Sequence, residues 1–359
     1  MCRAFYMNDV KFKRFIIYAA ILMLSFMFCF YLKFKGNTDR VVNADTEETT
    51  TESNNEKEYI KWVDFNVTYN ALCTAYTYDV DSYKEEVKIN WIELLAYTAA
   101  KNWGDFSNEN KIKTTMAQMV ETLNKKEKTI EELTGDLKQY QYFHECYEAI
   151  LGGLVGEYEL DGELKYGLKG YSPIAKNFYY NDFDDFGVSR SYGYKRRHLG
   201  HDMMGQTGTP IVAVESGIVE AMGWNQYGGW RLGIRSFDGK RYYYYAHLRK
   251  DFPYCKTLEE GSIVTAGDVI GYLGRTGYSA KENVNNIDES HLHFGIQLIF
   301  DESQKEGVNE IWIDPYNIIR FLYRNKSETQ KNQDTKEWVR MNLMTDPMVV
   351  EYKDKMGIE

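Results

Sequence analysis

Apolar and polar positions divide the 359-residue chain into stretches of different period. The first is "FIIYAAILMLSFMFCFYL", residues 15–32, an apolar run without a charge. At helical rise it extends about 27 Å, close to the thickness of a bilayer's hydrocarbon layer, and it predicts one transmembrane helix. Arg3, Lys11, Lys13 and Arg14 precede it, which places residues 1–14 in the cytoplasm. Lys33, Lys35 and Arg40 follow and weaken that asymmetry. A cleaved signal peptide competes with this reading. Its apolar region is usually shorter, and here the charged "KFKG" separates the run from the small residues of "VVNA". An uncleaved anchor is the expectation, with the downstream domains outside the cell. Residues 33–58 are polar and acidic and read as a solvated linker.

From 59 to 160 the period is helical. In "NWIELLAYTAAKNW", Trp91, Leu94, Leu95, Thr98 and Ala99 share one face. Near 162–170 glycine rises and the period shortens towards two. "TPIVAVESGIVEAMGW", "WRLGIRSFDGKRYYYYAHL", "SIVTAGDVIGYLG" and "HLHFGIQLIF" predict strands, with Asp238-Gly239 as a hairpin turn. Turn residues recur every eight to twelve positions, which points to an antiparallel sandwich or open barrel. "DPYNIIRFLYRN" predicts a helix near the end. The chain is thus α+β and multidomain: stub 1–14, anchor 15–32, linker 33–58, helical module 59–160, connecting segment 161–188, β domain 189–323 and polar extension 324–359.

A net charge of −10 with no basic stripe excludes nucleic acid as a partner. The thirty tyrosines suit either flat ligands or the half-wet faces of sheets. Beyond the anchor stand Cys73, Cys146 and Cys255, with no close pair. A Cys73–Cys146 bridge and three lone thiols both fit. No cysteine spacing suits zinc, so any metal must come from histidine and carboxylate.

Five of the six histidines, His198, His201, His247, His291 and His293, fall in the β-rich half. His144 lies alone in the helical region and reads as an amphipathic-helix residue. A strand through "HLH" points His291 and His293 to one face. In "HLGHD", His198 and Asp202 share a face whether the segment is strand or helix, whereas His201 joins them only in a helix. Two histidines and a carboxylate with an open position make a catalytic zinc arrangement. His198, Asp202 and one histidine of the "HLH" pair would supply it, leaving His247 and the other member to move protons. The glycine-rich stretches lack the lysine and spacing of a phosphate loop, and no carrier-type Met-Lys-Met hairpin is present.

The succession "RRHLGHDMMGQTGTPIVAVESGIVEAMGW", "RYYYYAHLRK", "EGSIVTAGDVIGYLGRTG" and "ESHLHFGIQ" resembles the lysostaphin/LytM-type zinc endopeptidases of bacterial cell walls. The resemblance covers roughly 189–321. It implies a mainly antiparallel β metallopeptidase domain of the duplicated-hybrid, barrel-sandwich type that cuts peptidoglycan stems or cross-bridges. By motif position it implies Zn2+ held by His198, Asp202 and His293, with His247 and His291 as the catalytic pair. Every one of those positions is filled. His201 departs from the pattern and is expected to point away from the metal. The long "SAKENVNNIDES" insertion is expected to shape one groove wall, and Arg190, Tyr192 and Tyr194 stand just upstream as candidate oxyanion donors. Anchored relatives also act as envelope scaffolds or activators without cutting, a role for which the helical module offers a surface. A latent enzyme, with "NFYYNDFDDFG" or the helical module over the groove, is the third reading.

Overall fold

A computed structural model describes residues 59–192, 194–305 and 309–358, all within one compact unit, 58–359. The expected anchor at 15–32, its cytoplasmic stub and the linker 33–58 lie outside the described residues. Among the described residues no helix is long and apolar enough to cross a membrane.

Five helices come first: α1 (Tyr69–Ser82), α2 (Trp91–Asn102), α3 (Glu109–Asn124), α4 (Ile130–Thr134) and α5 (Tyr140–Leu151). Asn90 starts α2 by accepting from the amides of Ile92 and Glu93. The face expected to be buried is buried, and Ile92 and Ala96 are covered as well, so α2 is the central helix of the group.

The helical run stops at Leu151. Residues 155–160, read from the sequence as the end of the helical module, are strand β1 (Val155–Leu160), which pairs with β2 (Glu163–Leu168). The two-residue turn between them, Asp161-Gly162, has positive φ at both positions, 53° and 83°. That matches the right-handed strand twist and selects Asp-Gly. The signal was thus in the sequence, but alternation with partly exposed charges on both faces hid it.

Strands β3 (Tyr180–Asn181), β4 (Ser189–Tyr192), β5 (Tyr194–Arg197), β6 (His201–Gly205), β7 (Pro210–Val212), β8 (Gly217–Asn225), β9 (Gly229–Ser236), β10 (Arg241–Ala246), β11 (Ile263–Val264), β12 (Val269–Tyr272), β13 (His291–Leu298) and β14 (Ile311–Ile313) follow. The main antiparallel sheet runs β11-β8-β9-β10-β13-β6-β3, with β14 beside part of β13, and β7-β12 form a second, small sheet. The β9–β10 turn is the expected one at Asp238-Gly239. There Gly239 has a φ of 74° and its amide donates to Ser236 O, whereas Asp238 is not left-handed.

Alternation along "RYYYYA" sorts its tyrosines. Tyr243 and Tyr245 are buried in the core, where the Tyr245 hydroxyl accepts from the Val214 amide, while Tyr242 and Tyr244 lie on the opposite, open face. On β13, Leu292, Phe294, Ile296 and Leu298 face the core and His291, His293 and Gln297 face out with those tyrosines.

The last elements are α6 (Tyr316–Leu322), β15 (Thr329–Lys331), β16 (Trp338–Arg340), β17 (Met344–Thr345) and α7 (Pro347–Met356). The stretch 324–359, read as a polar extension of uncertain order, is folded back on the protein. β17 adds to β1, and Asp346 is buried against Lys169 Nζ at 2.9 Å and Ser216 Oγ at 2.7 Å. Helices and sheets share one core. Phe321 of α6 stacks on Trp91 of α2 and meets Tyr76 of α1 edge-on, at centroid distances of 5.7 and 5.4 Å. The fully buried Arg241 of β10 caps α5 by donating to Ala149 O at 2.8 Å. Cys73, Cys146 and Cys255 are all free thiols, so no Cys73–Cys146 bridge forms.

Candidate active site

The register of three strands builds the site. β6 pairs with β13 so that Asp202 stands opposite His293, and β13 pairs with β10 so that His293 stands opposite Ala246. Opposed residues share a face, so Asp202 and His293 project together. His198 arrives from the loop just before β6. There Gly200 lets the chain close in: a Cβ at that position would come within 2.7 Å of the His293 ring and of Phe294 O.

Three atoms converge. His198 Nε2 lies 3.0 Å from Asp202 Oδ1 and 2.9 Å from His293 Nδ1, and the last two are 2.9 Å apart. The other His198 nitrogen, Nδ1, faces Asp185, with its backbone oxygen and Oδ2 each 3.2 Å away. Two acceptors there hold a proton on Nδ1. Nε2 faces a carboxylate and a second imidazole nitrogen, a cluster that a shared proton or a bound metal ion can hold together. Burial works against a charge on His198, yet its bonds to Asp185 and Asp202 hold its pKa up to about 9. Burial also pushes the Asp202 carboxyl up, but bonds from His198 and His293 hold it well below the ordinary carboxylate range. A tetrahedral zinc with bonds of about 2.0–2.1 Å would set its ligands about 3.4 Å apart, close to this spacing. The donor set fits zinc.

A further layer holds these ligands. Asp185, 2 % exposed, binds both His198 and Arg190, and Arg190 reaches Asp202 Oδ2 at 3.3 Å. A carboxylate behind a ligating histidine fixes its tautomer and orientation. Sequence reasoning missed Asp185, because "NDFDDFG" offered four carboxyl-bearing or amide positions and no period to choose among them. Arg190 was a candidate oxyanion donor; its guanidinium is instead committed to Asp185 and Asp202. The side chains of Tyr192 and Tyr194 lie outside the described residues.

His247 and His291 complete the group. His291 Nδ1 donates to Glu289 O at 2.9 Å, which leaves Nε2 facing Asp202 Oδ1 at 3.8 Å. His247 Nδ1 donates to Thr276 O at 2.9 Å, and its ring lies 4.8 Å from that of His291 and 5.8 Å from that of His293. Continued alternation past Ala246 would send His247 to the core face. A left-handed backbone at His247, φ 61°, turns it back to the histidines, at a cost that functional sites commonly carry. Burial first, then His291 and His293, push its pKa well below the usual histidine value, so it is a neutral base at neutral pH.

His201 points the other way. It is 1 % exposed and its Nε2 binds Asp182 Oδ2 at 2.9 Å, on the core side of β6. His201→Ala is therefore expected to leave zinc stoichiometry unchanged, checked by elemental analysis of the purified protein; loss of metal would show that the two faces of β6 are coupled.

From this cluster a groove of about 760 Å3 runs across the open face of the main sheet. Its floor and walls include Tyr242, Tyr244, Arg231, Tyr278 and Trp312. Glycines let the rings lie flat. A Cβ at Gly233 would sit 1.8 Å from the Tyr242 hydroxyl, and one at Gly295 would sit 2.7 Å from the Trp312 ring. The long insertion is anchored beside it: Asn283 Oδ1 accepts from Trp230 Nε1 and from the Asp251 amide, both at 2.9 Å. Residues 177–187 do not line the groove; they brace His198 and His201 from behind.

Residues 196–309 match the profile of Peptidase family M23. The chain is 33% identical over 159 residues to the L-Ala–D-Glu endopeptidase of Bacillus subtilis, covering 44% of this chain and 45% of that protein. It is 37% identical over 98 residues to lysostaphin of Staphylococcus staphylolyticus, covering 27% of this chain and 18% of that one. It thus spans less than half the length of either curated relative. A solved structure of a candidate glycyl-glycine endopeptidase, lytM, from Ruminococcus gnavus aligns with a TM-score of 0.46 at 26% identity, over 66% of this chain and 87% of that one. The matched stretch, about a third of the chain, takes in His198, Asp202, His247, His291 and His293, so in this stretch the β domain is similar to the Peptidase family M23.

Proposed function

We propose that this protein is a zinc endopeptidase that hydrolyses peptide bonds in peptidoglycan stems or cross-bridges, held at the membrane by residues 15–32 with its folded part outside the cell. The observation that carries the reading is the convergence of His198 Nε2, Asp202 Oδ1 and His293 Nδ1 within 3.0 Å of one another, beside two histidines whose Nδ1 atoms are held by backbone oxygens.

His198, Asp202 and His293 would hold the zinc. Bound zinc supplies Lewis-acid polarisation of a carbonyl and lowers the pKa of water towards neutrality. The remaining work falls to the chain. His247, neutral and with its Nδ1 proton tied to Thr276, accepts a proton at Nε2 from attacking water. His291, oriented by Glu289 O, presents Nε2 to the same space, and the proton that His247 took from water passes through it to the leaving amine as the C–N bond breaks. Tyr244, its ring 5.9 Å from that of His293, and Trp312 hold an extended peptide along the groove. The groove's direct access to His247 and His293 favours hydrolysis over pure scaffolding and over a latent form covered by residues 177–187.

The test is incubation of the zinc-loaded full chain with purified cell-wall sacculi, followed by mass spectrometry of the soluble fraction. Released stem or bridge peptides with new termini are the expected result. Sacculi of every cross-bridge type left intact would overturn the proposal.

A further inference from the structure

The cross-strand row that carries Asp202, His293 and Ala246 has one more member. β10 pairs with β9 with Tyr245 opposite Leu232, so the next position sets Ala246 opposite Arg231, which in turn pairs with Gly223 of β8. Residues opposed in a row share a face, so Arg231 projects into the groove on the same side as the metal cluster. Strands are about 4.8 Å apart, which puts its backbone roughly 10 Å from that of His293. Only the methyl of Ala246 stands between them in the row, and an arginine side chain spans most of that gap.

Among the groove's other charges, Glu220 binds Lys305 and Arg235, Glu310 accepts from Trp312 Nε1, and the Arg196 guanidinium donates to the Tyr278 hydroxyl at 2.5 Å; Arg197 of β5 also lines the groove. Arg231 has no carboxylate within 4.0 Å among the described residues, and its side chain is half-buried beside Tyr242 and Tyr244. A half-buried guanidinium with five donors and no acceptor is a site for a planar anion. In an extended peptide one residue spans about 3.5 Å. A carbonyl at the cluster therefore brings the neighbouring residue's substituent within reach of Arg231.

We propose that Arg231 reads a carboxylate on the substrate residue next to the scissile bond, so that the preferred substrate is an acidic peptide. The inference rests on the peptidase reading above and deepens it. In peptidoglycan chemistry the group would be a free α-carboxylate on a γ-linked glutamate, and its amidation would remove the charge without changing the shape.

The experiment uses the full chain and two synthetic stem peptides that differ in that one group, carboxylate or carboxamide. The wild type is expected to cleave the acid about 10- to 100-fold better in kcat/KM, the range of one charge-assisted contact. Arg231→Gln is expected to lose that preference by slowing on the acid alone, and Arg231→Lys to keep part of it, because the charge stays and the fork goes. Equal rates on both peptides in the wild type, or an undiminished preference in Arg231→Gln, would overturn the assignment while leaving the peptidase reading intact. Calorimetric binding of both peptides to the His291→Ala chain decides the same point without turnover: tighter binding of the acid, abolished by adding Arg231→Gln, is expected. If the wild type cuts neither sacculi nor peptides, the peptidase reading fails and the binding comparison still settles what Arg231 recognises.

Discussion

Replacing His291 by alanine is expected to lower kcat on cell-wall peptides by about 10²- to 10⁴-fold while zinc stays bound. His291 touches Asp202 only at 3.8 Å and lies outside the converging triad, so its loss removes a proton-transfer group rather than a ligand. Because the fall belongs to the chemical step, KM should move little. Asp202→Ala is the contrasting variant. It removes the central acceptor of the triad and is expected to abolish both zinc and turnover. Elemental analysis beside initial rates separates the two cases. Zinc lost from His291→Ala, or full activity retained, would reassign that residue.

The second large effect lies far from the chemistry. Glu215→Ala is expected to destabilise the fold by about 3–5 kcal/mol, the usual consequence of leaving a buried charge without its partner. Arg241 is fully buried and forks onto Glu215, Nε to Oε2 at 2.8 Å and Nη2 to Oε1 at 3.0 Å. Tyr243 also donates to Glu215 Oε2, at 2.6 Å. The remaining Arg241 contacts, to Asp238 and to the end of α5, cannot neutralise it as fully. Denaturant unfolding reads the change; a loss below about 1 kcal/mol would mean that water reaches Arg241. The same node joins α5 to β10, two elements that the sequence assigned to separate domains.

What the sequence made legible was local. The face of α2 at Trp91, Leu94, Leu95, Thr98 and Ala99 and the pairing of His291 with His293 across Leu292 follow from period alone, whereas the separation of His201 from Asp202 needed the motif pattern to choose strand over helix. The ligand and catalytic positions needed the motif succession as well, because His198, His293 and His247 meet only through strand register. His247 could not have been placed by alternation, which its left-handed backbone breaks. Arg241 follows a lysine and a turn glycine, and its burial depends on an acid 26 residues away and on a helix end about 90 residues away. The C-terminal stretch looked like a tail for the same reason. Its anchoring residue, Asp346, is a single polar side chain whose partners, Lys169 and Ser216, no local pattern announces.

The proposed chemistry depends on the metal. Elemental analysis of the full chain after zinc exposure and exhaustive dialysis, run beside Asp202→Ala, is its most direct measurement. About one zinc per chain in the wild type and none in the variant is the expected result. No bound zinc in either, or equal zinc in both, would contradict the assignment of His198, Asp202 and His293 as the metal site.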